Sequence, residues 1–480
     1  MALVIPDTAA ATIAAQYDEV AASYAARKTI PIEFRKQQLR QFWKLADDHE
    51  EYLRECLYKD LGKPKVEAQG TEVGLFKNEI CYLLDNMDKY LAPETVYVPP
   101  AYQGLNPTIV RQPKGVVLVI GAWNYPFFLT AAPFLGAIVA GCTGLMKPPE
   151  LAPYTAQAMA ELVPKYLDTS CYQIVNGAAA TATALLTHRW NHIFYTGGSR
   201  VGTIVAMAAV KNHTPYTLEM GGKCPVIVTP RADIALSARR VAWGKFACAG
   251  QTCVAPDYAL VHEDVYDAFI KAICASAQNF FQGRPKEDGR MGRIVNTAHW
   301  DRIMKQLRAT KGRFVCGGIE SADRDDRYVP PTIVADVTVE DALLADEIFG
   351  PILPVLKYKT PEEACRTINS IMDEPLGLYV MSEDRADMDW FVDHTKSGDA
   401  VHNDTMTQIA VPLLPFGGVG ASGLGSYHGK ASVDTFSHQR SVVYVPKEAE
   451  AAIEWRYPDG DQKLKYEAVK ASEEKLPTGL

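Results

Sequence analysis

Gly115-Val-Val-Leu-Val-Ile-Gly121-Ala-Trp-Asn124-Tyr-Pro126-Phe-Phe-Leu-Thr-Ala-Ala-Pro133-Phe-Leu-Gly-Ala-Ile-Val-Ala-Gly-Cys142-Thr-Gly-Leu-Met146 contains no Asp, Glu, Lys or Arg in 32 residues. That is long enough to cross a bilayer, but Asn124, Pro126 and Pro133 punctuate it, and Val116 to Gly121 is a β-branched run of strand length closed by glycine. It reads as strand, turn and buried helix, because continuous hydrophobicity is what a parallel strand covered on both faces requires. Working outward, strand-like runs at Gly144 to Lys147, Gln173 to Asn176, His192 to Thr196, Pro225 to Thr229 and Tyr258 to His262 alternate with helical stretches. That alternation predicts a parallel α/β sheet. A second α/β section follows to about residue 425, including Pro354 to Lys357 and Leu378 to Met381.

The flanks are plainer. Residues 8 to 90 have helical periodicity, as in Phe34 to Leu57 and Gly74 to Tyr90, and carry no obvious chemistry. Two short extended segments around a Pro/Gly turn at 93 to 113 predict a protruding hairpin suited to a subunit contact. Ser441 to Pro446 reads as a strand, and 447 to 480 as a mixed-charge surface helix or frayed tail.

The 480 residues allow about three domains. With 48% hydrophobic and 22% charged residues the chain is ordinary globular material, not a disordered or collagenous one. A net charge of −8 gives no field for a polyanion, which argues against nucleic acid. The ten cysteines are scattered, without a CxxC pair or zinc spacing, as expected of free thiols in a reducing compartment and of a chain with no metal site. The N-terminus lacks the basic start and apolar core of a signal peptide, so a cytoplasmic location is expected.

A dinucleotide fingerprint, GxGxxG, occurs at Gly418-Val-Gly420-Ala-Ser-Gly423, but no clean strand precedes it and no apolar helix follows, so a packing turn is the better reading. Phe194 to Gly202 is a better phosphate candidate: Gly197, Gly198, Ser199, Val201 and Gly202 lie between a strand and the apolar helix 203 to 210, where backbone N–H groups can face an anion. Taken alone it reads equally as a plain strand-to-helix turn. Lys147-Pro-Pro-Glu150 follows a strand end, where the ammonium and carboxylate could hold ribose hydroxyls or simply be solvated.

Cys253, in Gly250-Gln-Thr-Cys253-Val-Ala-Pro256, sits in a glycine-to-proline loop after the helical stretch Arg239 to Ala249, whereas Cys248 falls within that stretch. A thiolate there can attack a carbonyl. Glu219, between an apolar run and Gly221-Gly222, is a candidate base, and the Asn124 amide a candidate oxyanion donor. Each of the three could also be merely structural.

Taken together, the blocks Trp123-Asn124-Tyr125-Pro126, Lys147-Pro148-Pro149-Glu150, Tyr195-Thr196-Gly197, Leu218 to Lys223, Gly250 to Tyr258, Glu347-Ile348-Phe349-Gly350-Pro351 and Pro415 to Gly418 resemble, in order, the aldehyde dehydrogenase superfamily, in particular its class 3 and fatty aldehyde dehydrogenase branch. The resemblance is close over 115 to 430 and extends over roughly 60 to 450. It implies an α/β chain with a Rossmann-like parallel-sheet cofactor domain, an α/β catalytic domain and a small β bridging element. The implied segments are 1–91 and 115–220 for NAD(P) binding, 221–426 for catalysis, 92–114 and 427–450 for bridging and oligomerisation, and 451–480 as a charged tail.

The implied chemistry is oxidation of a medium- or long-chain aliphatic, or aromatic, aldehyde to the acid, with NAD and possible use of NADP. Cys253 would form a thiohemiacetal and then a thioester, hydrolysed with Glu219 as base. Asn124 and the Cys253 N–H would hold the oxyanion. Lys147 and Glu150 are carried to the adenosine ribose, Gly197 to Gly202 to the pyrophosphate, and Glu347 with Phe349 to the nicotinamide riboside. Tyr125, Phe127 and Phe128 are expected to offer some apolar surface to substrate, and a homodimer without a transmembrane anchor is expected. Departures are Cys224 for the usual Ser, Met220 for Leu, Cys142 where Asn is often found, and Gln408 where class 3 members often carry His, a position expected near the substrate entrance. The alternatives are a CoA-acylating enzyme, which Glu219 argues against, and a catalytically silent member.

Overall fold

The computed structural model describes residues 3–99, 102, 104–471 and 473. Parts of the predicted hairpin (100, 101 and 103) and of the tail (472 and 474–480) lie outside the described residues.

The charge-free stretch folds as its pattern predicts. Val116–Ile120 is a strand buried along its whole length, and Phe128–Ala140 is a helix whose thirteen residues are all buried. No face of either meets water, so neither needs a polar stripe. Val116–Ile120 is the third strand from one end of a six-stranded sheet. Thr143–Lys147 and then Tyr172–Ile174 pair in parallel on one side of it, and His192–Thr196 and then Tyr216–Glu219 on the other. Gly423–Leu424 closes the sheet antiparallel to Leu218–Glu219. The order of the parallel strands reverses between 116–120 and 192–196, and a crevice outside their carboxyl ends is the expected ligand site of such a sheet.

A seven-stranded sheet has the order Arg313–Cys316, Thr332–Ala335, Ile352–Tyr358, Tyr258–His262, Pro225–Val228, Gly377–Met381, Asp399–His402. All neighbours are parallel except the first pair. These two sheets belong to one compact unit, residues 1–87 and 113–437. A second unit, 88–112 and 438–480, holds all but the end residues Pro113 and Ser437 of a three-stranded sheet of Glu94–Thr95, Thr108–Pro113 and Ser437–Val442, and the tail helices Glu450–Ile453 and Gln462–Ala471.

Three local expectations change. The helix expected to run to Ala249 is Ile234–Phe246; Cys248 lies beyond it, at φ +50°. The strand near the C-terminus is Ser437–Val442, polar at every position but the last, while the apolar Val443, Tyr444 and Val445 beyond it are more than half exposed. The helix of 34 to 57 breaks at His49 into Ile32–Asp48 and Glu50–Leu61. Among the described residues no helix is long and apolar enough to cross a membrane.

Candidate active site

Because the strands run parallel, Gly121, Lys147, Gly197 and Met220 all leave the sheet at the same end. There they open a cavity of about 1780 Å³. Its wall includes Asn124, Lys147, Glu150, Gly197, Gly198, Ser199, Val201, Glu219, Cys253, Glu347 and Phe349, which brings all but one of the sequence-predicted residues to one place. The exception is Gly202, one turn into the helix Ser199–Lys211 and packed against Met220, where a side-chain carbon would come within 2.8 Å of the Met220 sulfur.

Cys253 is half-buried in the turn that links the helix Ile234–Phe246 to the strand Tyr258–His262. Its surroundings fix the backbone. The Cys253 carbonyl accepts from the Cys224 thiol at 3.3 Å, and the Val254 carbonyl from the Tyr379 hydroxyl at 2.6 Å. Thr252 Oγ1 lies 2.7 Å from the Tyr125 hydroxyl, which ties this turn to the Asn124 turn. Burial and then the carboxylates of Glu347 and Glu219 push the Cys253 thiol up, against a weaker pull from the N–H groups of Cys253 and Val254.

Glu219 ends the strand Tyr216–Glu219 and is 4% exposed. Its carbonyl accepts from Gly197 N at 3.0 Å, while neither carboxylate oxygen has a hydrogen-bond partner. Burial, and then the charge of Asp399, hold its pKa well above the carboxylate range, against a weaker pull from the Gly418 N–H. The 418–423 segment is the packing turn its context predicts: it ends in the strand that pairs with Glu219.

Glu347 and Phe349 sit in a turn held from three sides. Asp257 Oδ1 accepts from Ile348 N at 3.0 Å, and Arg302 donates to the carbonyls of Glu347 and Ile348 at 3.3 and 2.7 Å. The buried Lys223 ammonium pairs with Asp257 and donates to the Leu343 and Asp346 carbonyls. Glu347 Oε1 accepts from Gly222 N at 3.3 Å, and a side chain at Gly221 would strike that carboxylate at 2.4 Å. Burial and the charge of Asp257 push Glu347 up to about 8.

Lys147, 3% exposed, pairs with Glu150 at 3.1 Å. Ala178, Ala179, Ala182, Val201, Met207 and Val210 add apolar wall to the same cavity. The three aromatics after Asn124 turn inward: Phe127 packs on Phe76 with ring centroids 4.9 Å apart, Phe128 stacks on His428, and Tyr125 is 8% exposed. Gln408, expected near the substrate entrance, is instead buried and bonded to the Tyr379 hydroxyl at 3.2 Å, so it braces the Cys253 turn through Tyr379. Sequence reasoning missed Lys63, Glu67 and Glu72. They belong to the helical stretch that carried no obvious chemistry, and only the tertiary fold brings them to Tyr125, Phe127, Phe128 and Cys248.

Residues 2–442 match the aldehyde dehydrogenase family. The chain is 39% identical over 445 residues to 4,4'-diaponeurosporen-aldehyde dehydrogenase of Staphylococcus aureus, covering 93% of this chain and 96% of that one. It is 39% identical to the dimeric NADP-preferring aldehyde dehydrogenase of Canis lupus familiaris, over 92% and 97% of the two chains. With aldehyde dehydrogenase family 3 member A2 of Mus musculus it shares 40% identity, over 92% and 90%. A solved structure, the substrate-bound state of Staphylococcus aureus AldH, superposes with a TM-score of 0.90 at 38% identity, over 96% of this chain and 99% of that one. The chain belongs to the aldehyde dehydrogenase family and is an enzyme that oxidises aldehydes to carboxylic acids with NAD(P).

Proposed function

We propose that Cys253 is the nucleophile of this oxidation, Glu219 the base that activates water, and Asn124 with the Cys253 N–H the oxyanion donors. The observation that carries the reading is that all three side chains line one cavity with the glycine turn Gly197-Gly198 and with Glu347. Attack of the Cys253 thiolate on the aldehyde carbon yields a tetrahedral alkoxide, whose charge falls on the donors. Loss of hydride leaves a thioester on Cys253. Glu219, whose carboxylate oxygens have no hydrogen-bond partner, takes in its ionised form a proton from the water that cleaves the thioester.

The cavity suits a dinucleotide. A side-chain carbon at Gly198 would meet nothing within 4 Å, and the N-terminus of the helix Ser199–Lys211 directly follows. Lys147 and Glu150 are assigned to the adenosine ribose, Gly197, Gly198, Ser199 and Val201 to the pyrophosphate region, and Glu347 with Phe349 to the nicotinamide riboside. Gly202 allows the helix its close approach to Met220. Bound there, the nicotinamide supplies the hydride acceptor. The six-stranded sheet with residues 1–91 and 115–220 is read as the NAD(P)-binding part, 221–426 as the catalytic part, 92–114 with 427–450 as the bridging element, and 451–480 as a charged tail.

An apolar medium- or long-chain, or aromatic, aldehyde is the proposed substrate class, in line with the name of the Staphylococcus aureus relative. A cytoplasmic homodimer is the proposed state; ten free cysteines support the compartment, and the name of the canine relative supports the dimer. The test is a steady-state screen of aldehydes of graded length and benzaldehydes with both cofactors, on the wild type and on Cys253→Ala. The variant is expected to lose about 10⁴ in rate, or roughly 5.5 kcal/mol of transition-state stabilisation, with NAD binding kept. More than a few per cent residual activity would sink the nucleophile assignment, and a kcat/KM maximum at two carbons would sink the substrate class.

A further inference from the structure

The backbone just before Cys253 winds the wrong way. Cys248, Ala249 and Gly250 have φ of +50°, +51° and +74°, three successive residues in the left-handed region, of which only the last is glycine. Side-chain-bearing residues seldom adopt this conformation even singly, and a run of them persists only where the surroundings over-determine it. At Gly250 the reason is steric, since a side-chain carbon would lie 2.2 Å from the Gly350 carbonyl oxygen. Cys248 and Ala249 carry side chains and so bear the conformational penalty that glycine escapes.

What holds them comes from a remote segment. Glu67, in the short helix Lys65–Ala68, accepts a hydrogen bond from Cys248 N through Oε1 at 2.9 Å. The thiol of Cys248 in turn donates to the Asn124 carbonyl at 3.4 Å, and the Cys248 carbonyl takes both the N–H and the side-chain amide of Gln251, at 3.1 and 2.9 Å. The left-handed turn is thus tied at its first residue to Glu67 on one side and to the oxyanion-donor turn on the other, and it delivers the chain to Thr252 and Cys253.

Beneath it the Lys63 ammonium pairs with Glu72 at 2.6 Å and lies 3.6 Å from the Tyr125 ring centroid. Glu72 Oε2 accepts from the N–H groups of Phe127 and Phe128. Glu72 therefore serves the Asn124 side of the site, and Glu67 the Cys253 side. Burial pushes Glu67 up to about 7, against the Lys63 charge and the Cys248 N–H. A carboxylate and a carboxylic acid both offer an oxygen to that N–H, so the contact survives either state.

We propose that Glu67 is a positioning residue that clamps the left-handed turn Cys248–Gly250 and so sets the approach of the Cys253 thiol. The proposal rests on the reading of Cys253 as nucleophile. Without the acceptor, Cys248 N is left unpaired and the turn relaxes toward the right-handed region that its two side-chain-bearing residues prefer, carrying Cys253 with it. A displacement of about 1 Å at a reacting atom costs on the order of a hundredfold in rate.

The test compares Glu67→Ala, Glu67→Gln, the double variant Glu67→Ala/Ala249→Gly and, in parallel, Cys253→Ala. Measured are the NADH burst rate, kcat, the NAD dissociation constant and the rate of Cys253 carbamidomethylation by iodoacetamide, read by peptide mass mapping. Glu67→Ala is expected to slow both burst and alkylation about ten- to a hundredfold with NAD binding unchanged. Glu67→Gln, which keeps an acceptor oxygen, should stay within about threefold of wild type. Glycine at 249, which removes the conformational penalty, should restore most of the loss. The proposal is overturned if Glu67→Ala keeps the wild-type burst and alkylation rates, if Glu67→Gln is as impaired as Glu67→Ala, or if glycine at 249 restores nothing. Activity retained by Cys253→Ala instead overturns the nucleophile reading, so the two failures are separate.

Discussion

Replacing Glu219 by Gln removes a base and leaves its volume, which makes it the sharpest probe of the second half of the reaction. In the wild type the carboxylate is 4% exposed with both oxygens unpartnered, and burial together with Asp399 keeps it protonated well above the usual range. Only the ionised form takes a proton from water, so the steady rate should climb about tenfold per pH unit while the pH remains below the raised pKa. A general base contributes about 10²–10⁴, or roughly 3 to 5.5 kcal/mol, and Glu219→Gln should lose that in steady turnover. Acylation needs Cys253 and the oxyanion donors, so stopped-flow mixing with excess aldehyde and NAD should still give a burst of NADH, followed by a slow phase without the tenfold climb. The same substitution also bears on stability. Because the folded pKa is raised, the stability this group contributes is present below the unfolded carboxylate pKa and is lost as pH rises through the folded value; the Gln variant should gain on the wild type in alkaline thermal scans. Equal loss of burst and steady rate would move Glu219 to an earlier step, and a pH climb that survives the substitution would refute it as the titrating base.

Two further outcomes follow from ion pairs of the site. Glu150→Gln frees Lys147 from its 3.1 Å partner and removes a carboxylate that would repel a 2′-phosphate; kcat/KM for NADP should rise relative to NAD, and an unmoved ratio would take Glu150 away from the ribose. Lys223→Met leaves Asp257, 2% exposed, without its cation; urea unfolding should show a loss of about 3–5 kcal/mol, with KM for NAD raised as the Glu347 turn loosens, and a loss below about 1 kcal/mol would mean the pair is not what holds that turn.

Much of this architecture is legible in the chain itself. His192–Thr196 and Tyr258–His262 fall where the apolar runs predict, because a parallel strand buried on both faces must be continuously apolar and glycine or proline then marks its ends. The same logic bears on Glu219 and Asn124, which follow or end strands of the six-stranded sheet at its carboxyl edge, whereas Cys253 stands out by its glycine-to-proline loop ahead of Tyr258–His262. Polarity defeats this reading where burial is partial: Ser437–Val442 pairs its backbone in a sheet with side chains of no pattern, while Val443 to Val445 looked like a strand and are exposed.

What only the tertiary structure decided are the contacts that reach across the chain. Cys248 and Ala249 read as the end of a helix by propensity, and turn left-handed because an acceptor 181 residues away holds the Cys248 N–H. Lys63 and Glu72 lie in a stretch whose helical periodicity names no partner, and they meet the Tyr125 ring and the Phe127 and Phe128 amides only after folding. Local pattern records which residues must leave water. It does not record which buried donor will find which acceptor, because that pairing depends on where the folded backbone brings distant segments together.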